Sequence, residues 1–167
     1  ADVLYYGNTN TGGTAPVDSP SPYNEGDTVT VLGIGDLEKT GYEFVEWNTS
    51  ADGTGTGYDP AETFLMPAAQ VDLYAQWAAI YEVTYDGNGS TGGTAPVDLA
   101  SPYQEAEIVT VLGNTGSLVK TGNVFVGWNT AADGTGTTYA PGATFLMETA
   151  DVTLYAIWTD IPDNTVT

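Results

Sequence analysis

Nearly every motif in this chain occurs twice. TGGTAPVD stands at residues 11–18 and again at 91–98, SPY at 21–23 and 101–103, and VTVLG at 29–33 and 109–113. TFLM at 63–66 returns at 144–147, and VDLYAQW at 71–77 returns as VTLYAIW at 152–158. The spacing slips by one residue midway, because GIGDLEK at 33–39 is matched by the longer GNTGSLVK at 113–120. A period of about eighty residues restricts the chain to two small copies of one fold. The expected layout is a first repeat at 1–77, a linker at 78–82, a second repeat at 83–158 and a C-terminal tail at 159–167.

Each copy reads as strands. Thr28–Leu32 and Ile108–Leu112 alternate apolar residues with threonine, the mark of a half-buried strand. Tyr42–Asn48 and Val124–Asn129 alternate again, with Phe and Trp two or three residues apart. Val71–Trp77 places Val71, Leu73 and Ala75 on one face and Tyr74 on the other. With Gly 21 and Pro 9 punctuating these runs, the fold class is mainly β, and only the segment near Asp36–Thr40 leaves room for a helical turn. The expected core anchors are Trp47, Trp77, Trp128 and Trp158. Burying each large side chain is worth roughly 1.5–3 kcal/mol, enough for a small core without excess.

Charge excludes several functions. Asp plus Glu is 22 and Lys plus Arg only 2, so the net charge of −20 arises from missing cations. Such a surface repels nucleic-acid phosphates and anionic lipid. Only Lys39 and Lys120 offer sites to a trypsin-like protease, which suits life outside the cell. Cys is 0 and His is 0, which removes thiol chemistry and the commonest general base and metal ligand. No apolar run reaches the length of a membrane span, so no membrane insertion within this chain is expected.

Four motifs invite chemistry. WNTSADGTGTGY from Trp47 and WNTAADGTGTTY from Trp128 echo half of a calcium loop, but Ala131 stands where Ser50 does, and Asp59 and Ala140 stand where a closing Glu belongs. The turn reading is the stronger, with Gly53, Gly55, Gly134 and Gly136 at tight positions and no metal or other cofactor. TGGTAPVD is glycine-rich but lacks the Lys and following helix of a phosphate loop, so an extended surface loop is expected. Lys39 and Lys120 occupy matching places, where a Lys–Asn isopeptide crosslink competes with a solvated edge charge. Asn48 and Asn88 open glycosylation sequons.

YEVTYDGNGSTGGTAPVD, the central VTVLG, KTGNVFVGWNTAADGTGTTYAPGATFLM and the closing DVTLYAIW together resemble the Listeria–Bacteroides repeat family, over nearly all of both copies. The resemblance implies small β-grasp-like units in tandem on extracellular and cell-surface proteins. It implies roles as spacer, stalk or protein-interaction module, and it brings no catalytic residues.

The expected function is therefore a non-enzymatic extracellular repeat whose partners are other protein chains. Two alternatives stand beside it. The tail DIPDNTVT follows Trp158 where a new unit follows Trp77, so Thr165, Val166 and Thr167 could act as a strand lent to a second copy, giving head-to-tail filaments. Alternatively, exposed aromatics such as Tyr23 and Tyr103 would bind carbohydrate.

Overall fold

A computed structural model describes residues 1–162. The strands are β1 (Val3–Tyr6), β2 (Thr28–Thr30), β3 (Tyr42–Asn48), β4 (Gly57–Tyr58), β5 (Thr63–Leu65), β6 (Val71–Tyr81), β7 (Val83–Asp86), β8 (Tyr103–Gln104), β9 (Ile108–Thr110), β10 (Asn123–Asn129), β11 (Thr138–Tyr139), β12 (Thr144–Leu146) and β13 (Val152–Asp160). The described residues contain no helix, and turns occupy the segment near Asp36. The fold is thus mainly β.

The chain divides into two compact units, Ala1–Ala79 and Ile80–Thr167. Of residues 78–82, read from the sequence as linker, 78–81 continue β6. The reason is local: the apolar run after Trp77 has no turn residue to stop it, and Ile80 and Tyr81 find a partner strand in β8 within the second unit.

In the first unit a sheet runs in the order β1-β6-β3-β4, with β2 and β5 forming a separate antiparallel pair. The second unit repeats this as β11-β10-β13-β7 with β9 and β12. In each, the first strand is parallel to the last: Val3 pairs with Val71, and Val83 with Val152. That leaves β1 and β7 each with a partner strand on one edge only; on the other edge Val3 and Val83 donate to the Ser21 and Ser101 hydroxyls, and no strand among the described residues pairs at Tyr5 or Tyr85.

The core follows the alternation. Val3, Val29, Leu73 and Ala75 turn inward around Trp47, and Val83, Val109, Leu154 and Ala156 around Trp128. One departure from period two matters. Phe44 and Trp47 are three apart, which should put them on opposite faces, yet both pack inward. A β-bulge between Phe44 and Glu46, repeated between Phe125 and Gly127, slips the register by one and returns the ring to the core side. The rings then meet edge to face, with centroids 5.3 Å apart for Phe44–Trp47 and 5.1 Å for Phe125–Trp128.

Candidate functional site

Both tryptophans of the repeated loop are fully buried, and each indole N–H is satisfied: Trp47 donates to the Leu32 carbonyl at 3.0 Å and Trp128 to that of Leu112 at 2.9 Å. Trp77 and Trp158 are half-buried at the border of the core, donating to the Gly7 and Gly87 carbonyls at 2.9 and 3.0 Å.

The loop that follows is organised by one buried asparagine. Asn48 Oδ1 accepts the N–H groups of Ser50 and Gly55, both at 3.0 Å. Its Nδ2 donates to the Gly53 carbonyl at 3.3 Å and to Glu46 Oε1 at 3.0 Å. Asn129 does the same work with a different partner. It has Gly127 in place of Glu46, and its Nδ2 donates instead to Thr138 Oγ1 at 2.8 Å. Thr138 in turn occupies the place of Gly57, where a Cβ would strike the Glu46 carboxylate. The two substitutions compensate: the acceptor moves from one strand to its neighbour, and the amide stays paired.

The glycines differ in their reasons. Gly53 and Gly134 take φ of +76° and +78°, a region that favours glycine. Gly55 and Gly136 are needed for close approach: an added Cβ would stand 2.8 Å from Oδ1 of Asn48 or Asn129 and clash with a threonine hydroxyl.

This arrangement accounts for the acidic residues of the loop without a cation. Asp52 Oδ1 accepts the Ser50 hydroxyl at 2.7 Å, the Thr54 hydroxyl at 2.7 Å and the Thr54 N–H at 3.1 Å. Those donors, Ser50 first, hold its carboxyl down at about 2. The Thr135 hydroxyl and N–H lower that of Asp133 in the same way. Among the described residues no group of three acidic side chains could hold a metal ion. Both sequon asparagines are engaged as well. Asn48 is 2% exposed, and Asn88 Nδ2 donates to the Ala132 and Ala156 carbonyls at 2.8 and 2.9 Å. In the folded chain both side-chain nitrogens are hydrogen-bonded.

Lys39 donates to Thr9 Oγ1 at 2.8 Å and lies 4.2 Å above the Tyr42 ring, with a hydroxyl rather than an asparagine as its partner. Tyr23 and Tyr103 are turned inward and do not form open aromatic platforms; Tyr103 is 8% exposed. Thr165, Val166 and Thr167 lie outside the described residues.

Sequence reading passed over a groove beside the free edge of β1. Val71 N–H donates to the Asp2 carbonyl at 2.9 Å, so Asp2 faces β6. Val3 faces the other way, its N–H donating to Ser21 Oγ at 3.3 Å. By the alternation of a strand, Tyr5 also turns its backbone N–H and C=O outward. The far wall is Ala15–Asp18, and the space between is about 380 Å³. The second unit has the same groove, about 410 Å³, between Val83–Tyr85 and Ala95–Asp98.

The aspartate that lines each groove is hydrogen-bonded by a tyrosine. Tyr103 OH donates to Asp98 Oδ2 at 2.8 Å, and Ala100 N–H donates to Asp98 Oδ1 at 3.0 Å. In the first unit Tyr23 OH donates to Asp18 Oδ1 at 3.3 Å, but Pro20 stands where Ala100 does and has no N–H. Asp18 is 7% exposed, and its buried Oδ2 has no hydrogen-bond partner. Pro20→Ala should restore the missing donor. A hydrogen bond to a charged group contributes about 1.5–3 kcal/mol, against about 0.4–1 kcal/mol lost with the proline's stiffness. The expected result is a first unit more stable by about 1 kcal/mol, seen as a rise in its Tm of roughly 4–8 °C; an unchanged Tm would refute the pairing.

Burial, followed by the hydrogen bond to its aspartate, pushes the hydroxyls of Tyr23 and Tyr103 up to about 12. Burial raises Tyr5 and Tyr85 in the same direction. The fold thus favours neutral tyrosine. Its contribution is complete below the ordinary tyrosine value near 10 and is lost as pH rises from about 10 towards 12. Thermal melts from pH 8 to 11.5 should show Tm flat to about pH 9.5 and falling beyond it; a flat profile throughout would contradict this.

Comparison with known proteins gives a consistent picture. The model of the Listeria-Bacteroides repeat domain matches residues 4–76 and 81–157. A protein of Evansella cellulosilytica named "Putative Gly-rich membrane protein" is 44% identical over 147 residues, covering 85% of this chain and 17% of its own length. Another from the same organism, named "Putative membrane protein", is 39% identical over 122 residues, covering 72% of this chain and 18% of its own length. The chain therefore spans less than a fifth of the curated relatives it matches. No solved structure matches it.

Proposed function

The chain belongs to the Listeria-Bacteroides repeat domain family, and from that premise we propose that it is a non-enzymatic tandem module of a cell-surface protein, acting outside the cell as a spacer and as a site of protein contact. One observation carries the reading: the residues repeated between the units are those that hold each unit together. Trp47 and Trp128 fill the cores, Asn48 and Asn129 tie the loops, and Gly55 and Gly136 make room for them. Repetition preserves a scaffold. The names of the two Evansella proteins support a place at a membrane-bearing surface, as part of a much longer chain.

The net charge of −20 weighs against self-association, since like surfaces repel beyond the reach of contact forces. Light scattering with electron microscopy tests this. The expected mass is that of a 17.4 kDa monomer at all concentrations, with no fibres. Growth in mass with concentration, with regular fibres, would replace the spacer reading with a filament subunit.

A further inference from the structure

The grooves beside β1 and β7 lie between the strand and the segment Ala15–Asp18 or Ala95–Asp98, and both are lined by acids and apolar residues. We propose that each is a strand-addition site for an extended, lysine- or arginine-bearing segment of a partner protein. This deepens the protein-contact half of the function proposed above and leaves the spacer half independent of it.

Three features point to an extended occupant. First, β1 is an edge strand with Tyr5 turning N–H and C=O into the groove, and β7 does the same at Tyr85. An unpaired edge is a template for another strand. Second, natural edges are commonly guarded by lysine, and neither β1 (VLYY) nor β7 (VTYD) carries one. Third, the far lip is apolar and open: Val17 is 83% and Val97 76% exposed. Those side chains would lie against alternate residues of an added strand.

Charge selects the kind of segment. Asp2 and Asp18 line the first groove, Glu82 and Asp98 the second. Within the first, Asp18 Oδ2 lacks a donor because Pro20 cannot supply one. That oxygen is buried, so an incoming ammonium or guanidinium would be drawn by the acidic lining of the groove, Asp2 and Asp18, rather than by a direct bond to it. A second copy of this chain is a poor source. It carries −20 overall, and Lys39 is already held by Thr9 and the Tyr42 ring. The fitting occupant is a basic partner.

The probe is a ten-residue peptide of alternating Lys and Val, titrated into the whole isotope-labelled chain and followed by amide chemical shifts. The expected result is saturable shifts at Val3–Tyr6 and Val83–Asp86 below about 1 mM peptide. The same peptide with alternate backbone amides N-methylated keeps its charge but loses one row of hydrogen bonds, and should bind at least about tenfold more weakly. The doubly substituted Val17→Lys, Val97→Lys chain, altered only at exposed positions, should also weaken binding about tenfold. Equal binding of the N-methylated peptide would mean diffuse charge attraction and overturn the proposal. So would shifts elsewhere on the chain, or none at about 1 mM. A chain that stays monomeric and binds no peptide would still satisfy the spacer reading.

Discussion

Replacing Trp128 by alanine is expected to unfold the second unit and leave the first folded. The indole is fully buried, meets Tyr85 edge to face with centroids 4.7 Å apart, and satisfies the Leu112 carbonyl. Truncating a buried tryptophan costs about 3–5 kcal/mol, and an orphaned buried carbonyl adds about 1–3 kcal/mol. A unit of some eighty residues has roughly 4–12 kcal/mol in total, so the loss matches most or all of it. The first unit has its own core around Trp47 and should not respond. Amide spectra of the variant should keep the first-unit resonances and collapse those of the second. Loss of both sets together would show that the two units fold as one.

The strands and the twofold division are readable from sequence because they depend on periodicity and repetition. Other features escape for physical reasons. Continuation of β6 through residues 78–81 depends on pairing with β3 at Ala78 and Ala79 and with β8 at Ile80 and Tyr81, contacts that no local pattern announces. The three-residue spacing of Phe44 and Trp47 signals a bulge only once both are known to share a face. Trp77 and Trp158 look the same as their partners in sequence; their half-exposure comes from lying at the border of the core. Asn48 and Asn88 fit a surface modification motif, yet hydrogen bonds within the fold engage both amides. The groove was hidden because its lining joins distant segments: Asp18 and Ser21 from one loop, and Val3–Tyr5 from the first strand. One signal was available. Ser19–Pro20 against Leu99–Ala100 changes the donor count beside a repeated aspartate, and comparing the copies for hydrogen-bonding capacity would have found it.

Asn129→Asp is the most informative single-atom change available. The side chain is fully buried, its Oδ1 accepting Ala131 N–H at 2.8 Å. Its Nδ2 donates to the Gly134 carbonyl at 3.3 Å, the Gly136 carbonyl at 3.1 Å and the Thr138 hydroxyl at 2.8 Å. Aspartate keeps the shape and the acceptor but turns the donor into an anionic oxygen facing two carbonyls. Desolvation and repulsion should destabilise the unit by about 3 kcal/mol or more at pH 7. The same forces raise the folded carboxyl above its unfolded value near 3.9. Stability is therefore least impaired where both states are protonated, and it falls as pH rises towards the raised value. The deficit against the parent chain should be markedly smaller at pH 4 than at pH 7, since a neutral carboxyl can donate once. Denaturant melts of both chains at both pH values check this. A deficit that does not change with pH, or one below about 1 kcal/mol, would mean that the loop does not depend on this amide. The need for one uncharged, doubly competent side chain behind each Gly-rich turn would then no longer explain why the loop is written twice.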